Sequence, residues 1–423
     1  MKHVLLVAST TGYQIRSFGE AAEKLGVRLM FASDRCDQLE DPWWDHAIPV
    51  RFHDHDRSVD AVRVACQDTR PHAIVAVGDQ PAVLAAHLAS AMGLKGHPPE
   101  AAAASRNKIA TREALKRAEL PTPCFTPVRA DADAQEIARR LRYPVVLKPV
   151  ALSGSRGVTR VDNAGDFAAA FDRLRQLLRM PDVRVERDGL HDWLIVESFI
   201  PGAEYAVEGL LDNGCLQLLA IFDKPDPLNG PFFEETIYVT PSRSPRETQR
   251  HIEASVAAAA RAIGLRHGPI HAECRVDGDA VYVLEVAARP IGGLCSRALR
   301  FRLSHGQTIS LEEVLLRHAL GEDVSAYARE DAASGVMMIP IPKRGIFRRV
   351  EGLDNAKAVI GIEDIHITAK PDAALVPLPE GKSYLGFIFA RDDEPAAVEY
   401  ALREAHARLH FVIDRELALA ERL

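Results

Sequence analysis

The first hundred residues alternate between two periods, and that alternation limits the fold more than any other feature of the chain. The apolar run His3–Ala8 ends in Ser9-Thr10-Thr11-Gly12. Helical spacing follows through Phe18, Ala21, Ala22 and Leu25. Then come a short strand at Leu29–Ala32, a helix around 57–68, a strand at Ala73–Val77 and an Ala- and Leu-rich helix over 80–92. Strands that alternate with helices favour a parallel sheet covered on both faces. Residues 1–104 are therefore predicted to form a small doubly wound, Rossmann-like domain. No G-x-G-x-x-G follows the first strand, so the dinucleotide fingerprint is missing.

The pattern then changes. A helix from Asn107 to Glu119 stops at Leu120-Pro121-Thr122-Pro123, and a helix over 131–141 precedes the strand Val145–Lys148. A Gly/Ser loop, a strand at Val158–Val161 and a helix over 163–178 come next. From Trp193 to Ala288 strands dominate, broken by a Pro-rich loop at 225–231 and a helix near 246–263. A last unit begins near Ser334, with strands near 335–341, 360–368 and 385–390 and a closing helix near 394–411. The organisation predicted is an N-terminal domain over 1–104, an α+β body over 105–333 and a small α+β unit over 334–423.

Composition limits the function classes. Of 423 residues, 47% are hydrophobic and 26% charged, which suits a globular protein with a large core. The net charge of -7 gives no global basic footprint for nucleic acid. No apolar run approaches the roughly 18 residues that span a bilayer, and MKHVLLVAST reads as a strand, not a leader. Cys36, Cys66, Cys124, Cys215, Cys274 and Cys295 contain no C-x-x-C spacing. That favours neither a disulfide framework nor a zinc ribbon, and a reducing cytoplasm is the expected compartment.

Three features carry chemistry. The first is HAECRVDGDAVYVLEVAARPIGG, which has hairpin syntax around Asp277-Gly278-Asp279. With a three-residue turn, Glu273 faces Val283, His271 faces Glu285, and Glu273 and Glu285 form a diagonal pair on one face, roughly 7 Å apart. A two-residue turn would separate them. Close carboxylates need a cation between them, and hard oxygen ligands suit magnesium or manganese. Two solvated glutamates are the competing reading.

The second feature is lysine beside glycine. Lys148 closes an apolar strand, where a charge is costly without a partner. Ser153-Gly154-Ser155-Arg156-Gly157 follows and could cradle phosphate on its amides. Lys108 opens a helix. Gly381-Lys382-Ser383 imitates a P-loop end, but the glycine required five residues earlier is Val376. The third feature is Glu197 in LIVESFIPG, followed by Glu204. Here the backbone of Ser198, Phe199 and Ile200 could read an adenine edge.

Taken in order, Lys108, Lys148, the glycine loop, Glu197-x-x-x-Pro-Gly-x-Glu204, Glu273 and Glu285 resemble the ATP-grasp superfamily. The resemblance covers about 1–330 well and the C-terminal unit loosely. LEVAARPIGG is similar to the carboxylate–amine ligases that make dipeptides from free L-amino acids. The resemblance implies an ATP-grasp body with a lid at about 120–192, ATP as cosubstrate, and two magnesium ions on Glu273 and Glu285. It implies that Lys108 and Lys148 bind phosphates and that Ser153, Gly154, Ser155 and Gly157 close over them. Glu197 with residues 198–200 would hold adenine, and Glu204 the ribose. Arg289 with the amide of Gly292 would stabilise an oxyanion, with Lys148 at the transferring phosphate. Glu235, Tyr238, His271 and Arg289 would meet substrate. Tyr238 stands where the dipeptide-forming ligases commonly have His. Ala287 stands where D-alanine–D-alanine ligases have a metal-binding Asn.

The implied partners are a small carboxylate and an amine, and a homodimer is common in such folds. Two other readings stay open. One is a carboxylase or purine-pathway member of the superfamily that activates bicarbonate or formate. The other is a non-catalytic nucleotide-binding module.

Overall fold

The computed structural model describes residues 1–10, 14–34, 47–303 and 306–415. Cys36 lies outside them. Strands β1 (His3–Ala8), β2 (Arg28–Ser33), β3 (Ile48–Pro49) and β4 (Ala73–Val77) form a parallel sheet in the order β3-β2-β1-β4. From Val4 to Ala8 β1 is apolar because both of its faces are covered. Val4, Leu6 and Ala8 pack with Phe18, Ala21 and Ala22 of α1 (Ile15–Leu25). Leu5 and Val7 pack with Val62 of α2 (His55–Ala65) and with Leu84 and Leu88 of α3 (Asp79–Met92). Connections leave β1 toward β2 on one side and reach β4 on the other. The carboxyl ends of β1 and β4 thus flank a switch point, where α/β sheets bind ligands.

Helices α4 (Pro99–Arg106) and α5 (Lys108–Arg117) lead into a four-stranded antiparallel sheet. It is built from β5 (Phe125–Arg129), β6 (Val145–Pro149), β7 (Thr159–Val161) and β8 (Trp193–Ser198), in the order β5-β8-β6-β7. One face is sealed by Phe167, Phe171 and Leu174 of α7 (Ala164–Leu178). The helix expected over 131–141 is only α6 (Ala134–Ala138), capped by Asp133. The residue before Pro144 is biased away from helix, which shortens that segment. A short helix, α8 (Pro181–Arg184), follows α7.

The body is one eight-stranded antiparallel sheet. It contains β9 (Ala203–Asp212), β10 (Cys215–Asp223), β11 (Ile237–Thr240), β12 (Gly268–Asp277) and β13 (Ala280–Ala287). Helix α9 (Arg246–Ile263) buries Ile252, Val256 and Ala260 against Val207, Cys274, Val283 and Val286. The short strands β14 (Arg300–Arg302), β15 (Thr308–Ser310) and β16 (Ala328–Arg329) flank α10 (Leu311–Ala319).

The same large sheet continues through β17 (Ala333–Ile339), which pairs with β11, and then through later strands. After β17 come β18 (Gly345–Glu351), α11 (Leu353–Lys357), β19 (Ile362–Ile367), β20 (Ala374–Leu375), β21 (Gly386–Asp392), α12 (Pro395–Ala407) and β22 (His410–Asp414). The strand order is β13-β12-β9-β10-β11-β17-β21-β19. A cut at 333/334 therefore falls inside β17, in the interior of a continuous sheet. The closing helix expected to reach 411 ends at Ala407. The chain then becomes β22 and pairs with β18.

Candidate active site

The hairpin β12–β13 turns through two residues, Gly278-Asp279, with Asp277 opposite Ala280. The three-residue turn expected from sequence is therefore incorrect. In a regular ladder this turn would put Glu285 on the face of Val281 and Val283, in the core beneath α9. A β-bulge prevents it. Cys274 pairs with Val283, but the next pair is Glu273 with Glu285, so Leu284 is an extra residue on β13. The bulge moves Glu285 to the face of Glu273 and returns Val286 to the core. Residues directly opposite share a face, so the two carboxylates stand together as a cross-strand pair.

β9 supplies the neighbours. Arg275 lies opposite Glu204, Glu273 opposite Ala206, and His271 opposite Glu208. Arg275 Nε donates to Glu204 Oε2 at 2.8 Å, and His271 Nδ1 stands 3.1 Å from Glu208 Oε1. Between these two charge pairs the small Ala206 leaves room beside Glu273. Lys224, just past β10, fills it. Its Nζ lies 2.8 Å from Glu204, 2.8 Å from Glu235 and 3.5 Å from Glu273. Glu204, Glu235 and Glu273 bring oxygens within 4.8 Å of one another. Glu285 lies outside that group but lines the same cavity, and carboxylate oxygens are the hard donors that suit magnesium or manganese.

The electrostatics follow from that crowding. Burial opposes ionisation of Glu273, but Lys224 and His271 hold it well below the usual carboxylate range. Burial and the charge of Glu273 push Glu235 up to about 7, with Lys224 opposing. The Tyr238 hydroxyl donates to Glu235 Oε2 at 2.6 Å. Burial disfavours charge on His271, yet Glu208 and Glu273 raise it to about 9.

A second buried cluster fixes Lys148. Glu197 receives Arg112 Nε on Oε1 at 2.6 Å and Lys148 Nζ on Oε2 at 2.7 Å. Burial opposes its ionisation, but Arg112 and Lys148 win and hold it down at about 2. Both oxygens are thus engaged by cations, which corrects the expectation that this carboxylate binds adenine. Its work is to hold Lys148, which stands on the neighbouring strand. The expectation for the following backbone also narrows. The amides of Ser198 and Phe199 donate to Cys124 O at 2.8 Å and Pro144 O at 3.1 Å, so they are spent on the lid sheet. Ile200 O in turn accepts from Arg275 Nη1 at 2.8 Å, so Phe199 and Ile200 meet the cavity chiefly through their apolar side chains. Lys108 Nζ donates to Leu152 O at 2.8 Å and lies 3.4 Å from Glu285.

The glycine loop is tied down from the far end of the chain. The Gly157 amide donates to Pro379 O at 2.8 Å, and Arg156 Nε to Glu380 O at 2.9 Å. Gly157 has φ +79°, and a Cβ there would meet Leu177 and Pro149 at 2.9 Å. The turn at Gly202 is tighter still, since its Cβ would lie 1.9 Å from Val276 O.

These residues line a cleft with about 720 Å³ of empty space, open solvent included. Lys108, Lys148, Ser153, Gly154, Ser155, Glu197, Ser198, Phe199, Ile200, Glu204, Glu235, Glu273 and Glu285 all line it. Gly157, Tyr238, His271, Arg289 and Gly292 do not. Tyr238 and His271 stand behind Glu235 and Glu273. Arg289 Nε donates to Asp79 Oδ1 at 2.6 Å, and Asp79 takes a hydrogen bond from Ser153 at the cavity wall. Gly292 is adjacent to Arg289.

Five participants were absent from the sequence reading or unassigned by it: Asp79, Arg112, Glu208, Lys224 and Arg275. Three had a local signal. Arg112 follows Lys108 at i+4 on one helix face, Arg275 follows Glu273 at i+2 on one strand face, and Glu208 follows Glu204 at i+4 on another. Asp79 begins α3 at the switch point. Lys224 carried no pattern, because its place depends on three separate strands.

Fold and site together define an ATP-grasp protein. An ATP-grasp domain model matches residues 141–298, and a model of L-amino acid ligase C-terminal domain 2 matches 337–414. The chain thus carries an ATP-grasp domain and a segment similar to the L-amino acid ligase C-terminal domain. The crystal structure of L-amino acid ligase from Bacillus licheniformis superposes with a TM-score of 0.82 at 27% identity, covering 98% of this chain and 99% of that one. Carnosine synthase 1 of Gallus gallus is 28% identical over 76% of this chain and 35% of its own length. A D-alanine–D-alanine ligase of Aromatoleum aromaticum is 31% identical over 45% of this chain and 58% of its own. The chain thus spans between a third and three fifths of the curated relatives named here. Among the described residues, no helix is long and apolar enough to cross a membrane.

Proposed function

We propose that the protein is an ATP-dependent carboxylate–amine ligase. It would convert an amino acid, or a similar carboxylate, to an acyl phosphate and couple it to an amine, releasing ADP and phosphate. The observation that carries this reading is one cavity bounded by the bulge-aligned pair Glu273–Glu285 on one side and Lys108 and Lys148 on the other. Its likeness to L-amino acid ligase, carnosine synthase and D-alanine–D-alanine ligase supports the same reaction class.

Each part of the chain has a task in this scheme. Lys148, locked by Glu197, presents a positive charge to the phosphates, and Lys108 presents another from the start of α5. The loop 153–157 covers them and excludes water, which would hydrolyse an acyl phosphate. Phe199, Phe233 and Ile200 offer an apolar slot for the base, while Glu204, with Lys224 on one oxygen and Arg275 on the other, holds Lys224 in place instead of meeting the ribose as the sequence leads one to expect. Magnesium or manganese on Glu273 and Glu285 would neutralise charge on the phosphoryl group in transfer. Arg289, oriented by Asp79, and the amide of Gly292 would face the developing oxyanion. Glu235 lines the cavity and would hold the α-ammonium of an amino-acid donor. A reducing cytoplasm is the compartment we assign.

The test is a matrix of amino acids, offered singly and in pairs, scored for phosphate release and product mass. Pair-dependent phosphate release with a product of the condensed mass is the expected result. Turnover with bicarbonate or formate alone would place the protein in another branch of the superfamily.

A further inference from the structure

A second cluster of ligand-type side chains lies away from the ATP cavity and plays no part in the reaction above. Asp212 ends β9, His267 immediately precedes β12, and His318 lies near the end of α10. Each offers one ligand atom, and these atoms lie within 4.8 Å of one another. The two imidazoles stack with centroids 4.4 Å apart and planes 22° apart. His267 and His318 are 8% and 6% exposed, and the Nε2 of each has no hydrogen-bond partner. Burying a polar nitrogen without a partner is costly, and here two stand together.

The remaining contacts suit a metal site. Asp212 Oδ1 lies 3.0 Å from His267 Nδ1. Two donors of one tetrahedral ion stand about this far apart, so Asp212 Oδ1 and His267 Nδ1 could meet the same cation. The nearby His97 is not a further ligand: its Nδ1 accepts from Arg266 N–H at 3.2 Å, and its Nε2 lies 3.2 Å from Pro269 O. Lys95 lines the same cavity as His267 and His318 and places a positive charge near them. Asp212 is 61% exposed, so water can reach the open side of the cluster.

We propose that Asp212, His267 and His318 form a site for a divalent transition metal, zinc by the chemistry of its donors, with water completing the coordination. Bound there, the ion would join β9, the start of β12 and α10.

The full-length chain, stripped with a chelator and without nucleotide, is titrated with cobalt(II) and then with zinc. One cobalt per chain is expected, with the visible bands of four-coordinate cobalt, displaced by zinc. His267→Gln and His318→Gln should abolish the bands, while Glu273→Gln and Glu285→Gln should leave them intact. Asp212→Asn changes an exposed residue and should weaken binding about tenfold or more, which decides the matter if a histidine variant fails to fold. Absence of binding overturns the proposal. So does binding that survives all three cluster variants, or binding that disappears with Glu273→Gln, since the ion would then sit among the ATP-site carboxylates.

Discussion

Asp79, the first residue of α3, holds the guanidinium of Arg289 at 2.6 Å across 210 residues of sequence. The contact brings the switch point of the N-terminal sheet to the end of β13. Gln14, after β1, reaches the same segment, with Nε2 2.5 Å from Ile291 O. The N-terminal domain thereby helps to orient Arg289. Arg289→Ala should lower the ligation rate about a hundredfold with little change in ATP affinity. Asp79→Asn keeps the shape but removes the charge, and should lower the rate about tenfold or more, as loss of a charged hydrogen bond implies. Steady-state kinetics with separate KM values would show it. A rate within about threefold of wild type for Arg289→Ala would remove the oxyanion role.

The Arg112–Glu197–Lys148 triad makes a pH prediction. The folded pKa of Glu197, about 2, lies below its ordinary value of 4.5. A depressed carboxylate contributes stability above the ordinary value and loses it as pH falls toward the folded value. The shift corresponds to roughly 3 kcal/mol. Between pH 5 and 2 the wild type should therefore lose more stability than Glu197→Gln, as seen by denaturant unfolding at each pH. Arg112→Met removes one cation from a buried cluster and should cost about 3 kcal/mol at neutral pH. Parallel pH curves for wild type and Glu197→Gln would contradict the assignment.

The bulge at Leu284 is testable without activity. Directly opposite residues on antiparallel strands have Cβ atoms about 4.5–5.5 Å apart, near disulfide reach. The double variant Glu273→Cys/Glu285→Cys should cross-link within one chain on mild oxidation, as peptide mapping would report. The regular ladder would put the two thiols on opposite faces of the sheet, and no cross-link would form.

Much of this site was legible because its strongest constraints are local. The apolar run of β1, the Pro201-Gly202 turn and the acid-bearing hairpin each state their geometry within about ten residues. The register of the hairpin was not local. Asp277-Gly278-Asp279 fits a two- or a three-residue turn, and only packing of Val281, Val283 and Val286 under α9 requires the bulge. The role of Glu197 was hidden for a related reason. Its partners Arg112 and Lys148 come from α5 and β6, and a carboxylate in an apolar strand looks the same whether it meets a ligand or two cations. The strand β17, which joins the body to the C-terminal segment, shows the same limit, because its pairing with β11 and β21 in the antiparallel sheet is long-range and a sequence pattern does not display it.

Metal dependence gives the next prediction. Glu285→Gln removes one carboxylate of the cross-strand pair and leaves Lys108 without its partner at 3.4 Å. Turnover should fall about a hundredfold or more, equivalent to roughly 3 kcal/mol in the barrier. Raised magnesium should recover part of it, and circular dichroism should be unchanged. An unaltered magnesium dependence would mean that Glu285 does not contact the ion.

The central claim is that this cavity activates a carboxylate by γ-phosphoryl transfer, and trapping the activated acid tests it most directly. The enzyme is incubated with ATP, magnesium and the donor that scores in the amino-acid matrix, with hydroxylamine in place of the amine. The account predicts a hydroxamate of the donor formed in equal amount with ADP and phosphate, and none of it from Glu285→Gln. Stoichiometric AMP and pyrophosphate, or ATP turnover with no hydroxamate, would contradict it.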